Sequence, residues 1–241
     1  MKEMIWSFSR LDTLWTCPYS FYSQYILKEE QTDNSWGIIG GSLHTAAEEI
    51  VKGNLAQEKA ADYFYEGLPE ISFPQFKPEY KDKLLGDCIH FLDNFPKIEA
   101  EVLDVERKFL IDIDGNKLRG YIDLELKDDK GIINLDWKTS SLSGFSGKKL
   151  RHKAKQLYLY AASTKEHFGE FPHTLRFYMV RGNKPIDIEF NKKDYQEALD
   201  WMKRVIEIYE NTTEWEKKEQ FFFCKNVCGT SSCEFNGNYK K

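Results

Sequence analysis

Three stretches in the middle of the chain, VLDVERKFLI, KLRGYIDLEL and GIINLDWKT, alternate polar and apolar residues, and the turn signals Asp114-Gly115 and Asp128-Asp129-Lys130-Gly131 stand between them. Alternation of period two predicts strands with one face toward a core, and connections this short join only antiparallel neighbours. The chain therefore contains an antiparallel meander, and the remaining residues must supply the layers that cover it. Downstream, helical spacing runs from about Arg151 to Phe168. A strand over Thr174 to Val180 follows, then a short strand, PIDIEF, and a long helix with Tyr195, Leu199, Met202, Ile206 and Tyr209 on one side. Upstream, a first helix is expected to open at Ser9 as its N-cap and run through Leu11, Leu14 and Trp15. A second is expected after the glycines of GIIGGSLHTAAEEIVKG, with Leu43, Ala47, Ile50 and Val51 on one face. Residues 54–100 read as a helical insertion broken by Pro69, Pro74 and Pro78. The expected fold class is α/β: a central mixed sheet that includes the meander, flanked by helices. One domain is expected over residues 1–241, with 217–241 as a cysteine-containing C-terminal segment.

Hydrophobic residues make up 41% of the chain and charged residues 30%, which suits a folded globular protein and excludes a disordered one. The start, MKEMIWSFSR, lacks the apolar stretch of a signal peptide, so a cytoplasmic location and no membrane partner are expected. In that reducing compartment the five cysteines are ligands, reactive thiols or core residues rather than a disulfide framework. The net charge of −5 runs against the basic excess usual in a nucleic-acid-binding protein. The charge is unevenly placed, however, with a basic run, KKLRHKAK, from Lys148 to Lys155.

Within KLRGYIDLEL the alternation sets Ile122, Leu124 and Leu126 on one face and Tyr121, Asp123 and Glu125 on the other. Within GIINLDWKT it sets Ile133, Leu135 and Trp137 against Asn134, Asp136 and Lys138. A turn centred on Asp129 and Lys130 places Asp123 directly across from Asp136. Opposed residues have Cβ atoms roughly 4.5–5.5 Å apart, and like charges at that separation destabilise a sheet. A bound cation removes that penalty, and two carboxylates suit Mg²⁺. The alternative is a solvated acidic face. Lys138 favours a site, because a lysine beside a metal-activated water can orient it or stabilise charge developing on a phosphate.

GYID, then LDWK, then QLYLY resembles the active-site signature of the RecB-like branch of the PD-(D/E)XK nuclease superfamily, with its restriction-endonuclease-like core. The resemblance implies a metal-dependent deoxyribonuclease, an exonuclease of DNA repair, recombination or CRISPR or phage DNA processing. Asp123, Asp136 and Lys138 would be catalytic, and His44, in a GxxxH match from Gly40, would hold Mg²⁺ or Mn²⁺ with Asp123, Asp136 and the backbone carbonyl of Trp137. Gln156 and Tyr160 match a QxxxY motif beside the site. Each has a plainer reading: His44 as a surface or core histidine, Gln156 and Tyr160 as a packed i, i+4 pair. Glu106 is either a further acid near the metal or an edge residue. Lys148, Lys149, Arg151, Lys153 and Lys155 form either a phosphate track for DNA, single-stranded or with free ends, or a solvated helix start.

Cys224, Cys228 and Cys233 cluster near the C-terminus, with Cys17 far away at the N-terminal helix. This three-plus-one layout resembles the iron–sulfur staple of AddB-type nucleases and of CRISPR adaptation nucleases, which implies a [4Fe-4S] cluster joining the two ends of the chain. A structural zinc is the alternative. Cys88, in GDCIHFLDNF, reads as a buried hydrophobe. The rival function is a non-catalytic DNA-binding or scaffolding subunit of a helicase or integrase complex, and a nuclease that needs such a partner also fits.

Overall fold

A computed structural model of the chain describes residues 4–31, 35–69 and 78–237. The meander forms as expected from β1 (Glu101–Ile113), β2 (Asn116–Asp128) and β3 (Gly131–Lys138), each antiparallel to the next. In the β1–β2 turn Asp114 (φ 50°) and Gly115 (φ 81°) are both left-handed, and Asp112 Oδ1 accepts the Gly115 N–H at 2.8 Å. Such a two-residue turn twists in the same sense as the strands it joins.

Ahead of the sheet lie α1 (Phe8–Thr16), α2 (Pro18–Phe21), a π-helical turn (Tyr22–Leu27), α3 (Ser35–Val51), α4 (Ala60–Glu66) and α5 (Pro78–Asp93). After β3, α6 (Gly147–Phe168) crosses to β4 (Thr174–Met179), which runs parallel to β3, and β5 (Lys184–Glu189) pairs antiparallel with β4. The sheet order is β1-β2-β3-β4-β5, so the fold is α/β with a mixed five-stranded sheet. α7 (Lys192–Asn211) and α8 (Phe221–Asn226) complete the described chain, in which no helix is long and apolar enough to cross a membrane.

Two apolar layers hold the sheet. Ala154, Leu157, Tyr158 and Ala161 of α6 recur at helical spacing and pack with Leu11 and Leu14 of α1, Trp201 and Val205 of α7, and Leu175 and Phe177 of β4. α6 stops at Gly169, whose left-handed φ of 82° only glycine takes freely. On the other side Leu43, Phe64, Cys88 and Phe91 of α3 to α5 cover Leu124, Leu126, Ile133, Leu135 and Trp137. α4 and α5, from the stretch read as an insertion, thus join α3 in the second helical layer.

Several boundaries differ from the sequence reading. α1 is capped by Ser7 rather than Ser9, its Oγ accepting from Arg10 N at 3.3 Å. The reason is tertiary: Trp6 N donates to Lys117 O at 2.8 Å and accepts at its own carbonyl from Arg119 N at 2.9 Å, which fixes the entry of the chain two residues early. α3 includes its glycines, and Gly40 sits beside the end of β3, where a Cβ would lie 3.6 Å from Thr139 Oγ1 in ordinary contact. Pro78 opens α5, Pro69 lies beyond α4, and Pro74 falls outside the described residues.

The facing of β2 is also corrected. Ile122 joins the α6 layer while Leu124 and Leu126 join the opposite one. On β1, Arg107 reaches Glu125 and Ser163 on the α6 side while Val105 packs with the other layer. Both strands therefore change face at one level, Glu106 on β1 and Asp123 on β2, and Glu106 is left-handed there at φ 54°. Simple alternation cannot foresee such an inversion.

Below that level Glu125 is wholly buried rather than solvated. Arg107 Nε and Nη2 grip its carboxylate from two sides, and Thr164 Oγ1 donates to it at 2.7 Å. Asn134 Nδ2 donates to the same threonine at 2.7 Å. Removing one partner of a buried ion pair strands the other charge, so Arg107→Ala should cost about 3–5 kcal/mol in urea unfolding. Arg107→Met with Glu125→Leu should recover most of that loss; equal destabilisation in both variants would refute this account.

Candidate active site

The β2–β3 ladder has the register expected from the turn but ends at Leu124↔Leu135, one position short of the aspartates. Beyond it the strands part. Asp123 Oδ2 accepts the Trp137 N–H at 2.8 Å in place of a ladder partner, and His44 Nδ1 of α3 lies 3.3 Å from the same oxygen. His44 Nε2 lies 2.9 Å from the Trp137 carbonyl oxygen. Both ring nitrogens thus face acceptors, which requires both to carry protons. Burial opposes that charge, but the neighbouring Asp123 carboxylate outweighs it and raises the His44 pKa to about 9.

Asp136 reaches toward α6. Its Oδ1 accepts from Gln156 Nε2 at 2.9 Å, and its Oδ2 is 2.6 Å from Lys138 Nζ, an ion pair whose alignment leaves that buried oxygen without a well-formed hydrogen bond. Lys138 Nζ also donates to Gln156 Oε1 at 3.2 Å. Burial first, and then the Asp123 charge, push the Asp136 pKa up, whereas His44 and Lys138 overcome burial to hold Asp123 below its ordinary value. The carboxylates are buried and compensated, so the solvated-face reading fails at these positions.

Tyr160 is buried one turn beyond Gln156, its ring edge-on to Phe109 at 5.0 Å between centroids. A Cβ on Gly120 would meet Phe109 Cζ at 2.7 Å and Tyr160 Cζ at 2.9 Å, so the glycine of GYID makes room for this pair. Glu106 is half-buried, and burial followed by Asp123 raises its pKa, which places it at the border of the same group.

Two carboxylates and a peptide carbonyl are hard oxygen donors suited to Mg²⁺ or Mn²⁺, and the imidazole adds one borderline nitrogen. Among the described residues no three of His, Cys, Asp and Glu converge at metal-holding distance. The donors are engaged instead with Lys138, Gln156 and the Trp137 N–H, and a cation would have to displace part of that network. Asp136 Oδ2, buried and holding no well-formed hydrogen bond beyond its ion pair with Lys138, fits a cation that is hard and oxygen-seeking.

The basic run divides along α6. Lys153 lies near Lys138 and Lys149, its Nζ 5.1 Å from the Phe145 ring, and burial and those like charges lower its pKa. Lys149 and Lys153 share the stripe of Gln156 and Tyr160 by helical spacing. Arg151 and Lys155 line a cavity of about 280 Å³ together with Asp194 and Glu197, and Lys155 Nζ sits 5.7 Å from the Trp201 ring. Lys148 is exposed. Four of these five residues therefore point two ways, a division that helical periodicity alone could have foreseen.

Cys17, Cys224 and Cys233 are buried and Cys228 half-buried, all as free thiols. Burial foremost raises the Cys224 thiol, with Cys228 and Cys17 adding to it, and burial and Cys228 are among the influences raising Cys233. Gln220 N donates to Cys224 Sγ at 3.4 Å, and Ser20 Oγ is 3.6 Å from Cys228 Sγ. The C-terminal segment is fastened to the N-terminal helices by polar contacts, Gln220 Nε2 to Thr16 O at 2.9 Å and Ser232 Oγ to Glu29 Oε2 at 2.9 Å, and by Tyr22 stacked on Trp215. The N-terminal helices and the C-terminal segment thus meet, but among the described residues no metal-holding group joins them. Cys88 is fully buried in α5, and burial lifts its thiol pKa to about 12.

A family model for the PD-(D/E)XK nuclease superfamily matches residues 5–237. Among solved structures the chain is similar to a Eubacterium rectale protein provisionally named an exonuclease, with 12% identity and a TM-score of 0.58 over 98% of this chain and 88% of that one. At that identity the likeness shows a shared fold. A second structure, SSO0001, is 18% identical over 86% of this chain and 78% of its own, with a TM-score of 0.39, too low to bear on the fold. No curated protein matches the sequence.

The His44 pair has a testable consequence for the metal-free protein. A histidine whose folded pKa rises from 6.5 to about 9 stabilises the fold fully below pH 6.5 and loses that contribution as pH rises to about 9. In EDTA, urea melts of the wild type should weaken across that window more than those of His44→Gln. Parallel pH curves would rule the ion pair out.

Proposed function

The chain belongs to the PD-(D/E)XK nuclease superfamily, and on that premise we propose that it is a metal-dependent deoxyribonuclease of the RecB-like branch, an exonuclease acting on DNA that is single-stranded or has free ends. The observation that carries this reading is the gathering of His44, Asp123, Asp136 and Lys138 where β2 and β3 part. A binding module has no need of two buried acids side by side.

Asp123, Asp136, His44 as neutral imidazole and the Trp137 carbonyl would hold Mg²⁺ or Mn²⁺. Bound there, the cation supplies Lewis-acid activation of water and neutralises charge on the scissile phosphate. Lys138, released from Asp136, would stabilise the negative charge that grows on the phosphate oxygens during attack. Gln156 bridges Lys138 and Asp136 and keeps the ammonium beside the reacting centre. Tyr160 closes the floor, and Lys149 and Lys153 hold the adjoining phosphates. DNA repair, recombination or the processing of CRISPR or phage DNA, in the cytoplasm and with or without a helicase or integrase partner, is the proposed setting, and residues 1–241 are proposed to work as one domain.

We further propose that Cys17, Cys224, Cys228 and Cys233 hold a [4Fe-4S] cluster. In support, the four thiols are free, Cys17 and Cys228 both act on the Cys224 thiol and Cys228 on Cys233, and four thiolates are the chemistry such a cluster needs. Anaerobically purified protein should be brown and carry about four irons per chain. Colourless protein with one zinc would replace the cluster with a Cys₄ zinc site.

Cleavage of end-labelled single- and double-stranded DNA in Mg²⁺ and Mn²⁺ tests the main reading. Asp136→Ala and Lys138→Ala should each lower the rate by about 10² or more, the scale on which a lost electrostatic stabiliser acts, and Lys138→Ala should retain metal. Wild-type rates in Asp136→Ala would exclude this site, and protein that binds DNA ends but never cuts them would be a scaffolding subunit.

A further inference from the structure

β1 and β2 extend past the site as a two-stranded arm covered on one face only. Phe109, Ile111, Leu118 and Ile122 turn into the α6 layer. The other face is bare: Lys108, Leu110, Arg119 and Tyr121 are exposed, Leu110 at 57% and Tyr121 at 49%. The ladder orders them in rungs, Lys108↔Tyr121 and then Leu110↔Arg119. Alternation puts Glu106 and Asp123 on the same face at the next position inward, because the strands change sides only below that level. The strip therefore starts at the acids of the active site and runs outward. It meets a tyrosine beside a lysine roughly 7 Å away, and a leucine beside an arginine about 7 Å further on, at two residues per rung.

The charge on the strip is unspent. No carboxylate among the described residues pairs with Lys108, Arg119 or the nearby Arg10. Arg10 lies over the Tyr25 ring at 5.0 Å, and Arg119 is close enough to disfavour its charge. Cations left unpaired in a protein with a net charge of −5 point to an anionic partner. A half-exposed aromatic between them offers a flat apolar platform, and stacking with neighbouring phosphate contacts is how single strands are held without regard to sequence.

We propose that this bare face of the β1–β2 arm is the landing strip for a single DNA strand, with Tyr121 stacking on a base one step from the reacting phosphate and Lys108 and Arg119 gripping the backbone on either side. The inference rests on the nuclease reading and adds where the substrate runs. Its test is binding of fluorescein-labelled oligodeoxythymidine in EDTA, where no cutting occurs, over a salt series.

Lys108→Gln with Arg119→Gln should weaken binding about tenfold at low salt and reduce the slope of log affinity against log salt by about 1.4, the loss of two single-strand phosphate contacts. Tyr121→Ala should weaken it roughly 5- to 150-fold with the slope retained, and Tyr121→Trp should restore it. In cleavage, Tyr121→Ala should raise KM far more than it lowers kcat. All three substituted positions are exposed, so melting temperatures should stay near the wild type. If these variants bind like the wild type, or if Tyr121→Trp binds no better than Tyr121→Ala, the strip is not the strand's path, whatever the cleavage assay shows. If the variants lose binding but Asp136→Ala still cuts, the strip stands and the catalytic assignment falls. Wild-type protein that binds no oligonucleotide overturns the strip, and cleavage then decides the nuclease reading separately.

Discussion

Two carboxylates taken out of water next to one another are the constraint around which this molecule is arranged. Asp123 and Asp136 would repel each other and lose hydration if nothing compensated them, and several elements of the sheet and its helices deliver a compensating group. α3 brings His44, the end of β3 brings Lys138 and a peptide N–H, and α6 brings Gln156. Asp123 takes the Trp137 N–H only because β2 and β3 part after Leu124↔Leu135, so the break in the ladder, a defect in purely structural terms, opens the space in which chemistry can occur.

The layer beneath is built to keep that break in place. Arg107, Glu125, Thr164 and Asn134 link β1, β2, α6 and β3 in one buried polar chain. Such a network is specific about distance and angle where apolar packing tolerates sliding. It lies directly under the level at which β1 and β2 change face, and it is the register lock for the two aspartates above.

Much of this was legible in the residues. The alternation of 101–138 and its turn signals determine strands, order and register, and the turn at Asp129-Lys130 sets the register as far as Leu124↔Leu135, one rung short of the aspartates. Legibility ends where tertiary forces override a local pattern. The inversion at Glu106 and Asp123 sends Ile122 to the opposite face, Trp6 drags the start of α1 two residues upstream, and Glu125, which alternation groups with the site acids, goes instead to Arg107. Of the arm residues, Tyr121 falls inside GYID, but Lys108 and Arg119 carry no motif, and only the absence of a covering layer marks the strip they form. The cysteines are readable as a set, since their spacing suggests one destination, but the polar fastening of the C-terminal segment to Thr16 and Glu29 has no signature in sequence.

The pairing of His44 with Asp123 and of Lys138 with Asp136 also bears on the order of events in a turnover. With two cations facing two anions, the cleft is close to electroneutral before any divalent ion arrives. An approaching phosphodiester would then meet little like charge beyond Glu106, and a divalent ion held by Asp123, Asp136 and His44 would take the place of the His44 proton and the Lys138 ammonium rather than fill an empty anionic hole. On the proposed reading, encounter with the polymer and capture of the ion would then follow each other in either sequence, and kinetic order would be a matter of relative concentration rather than of obligatory assembly.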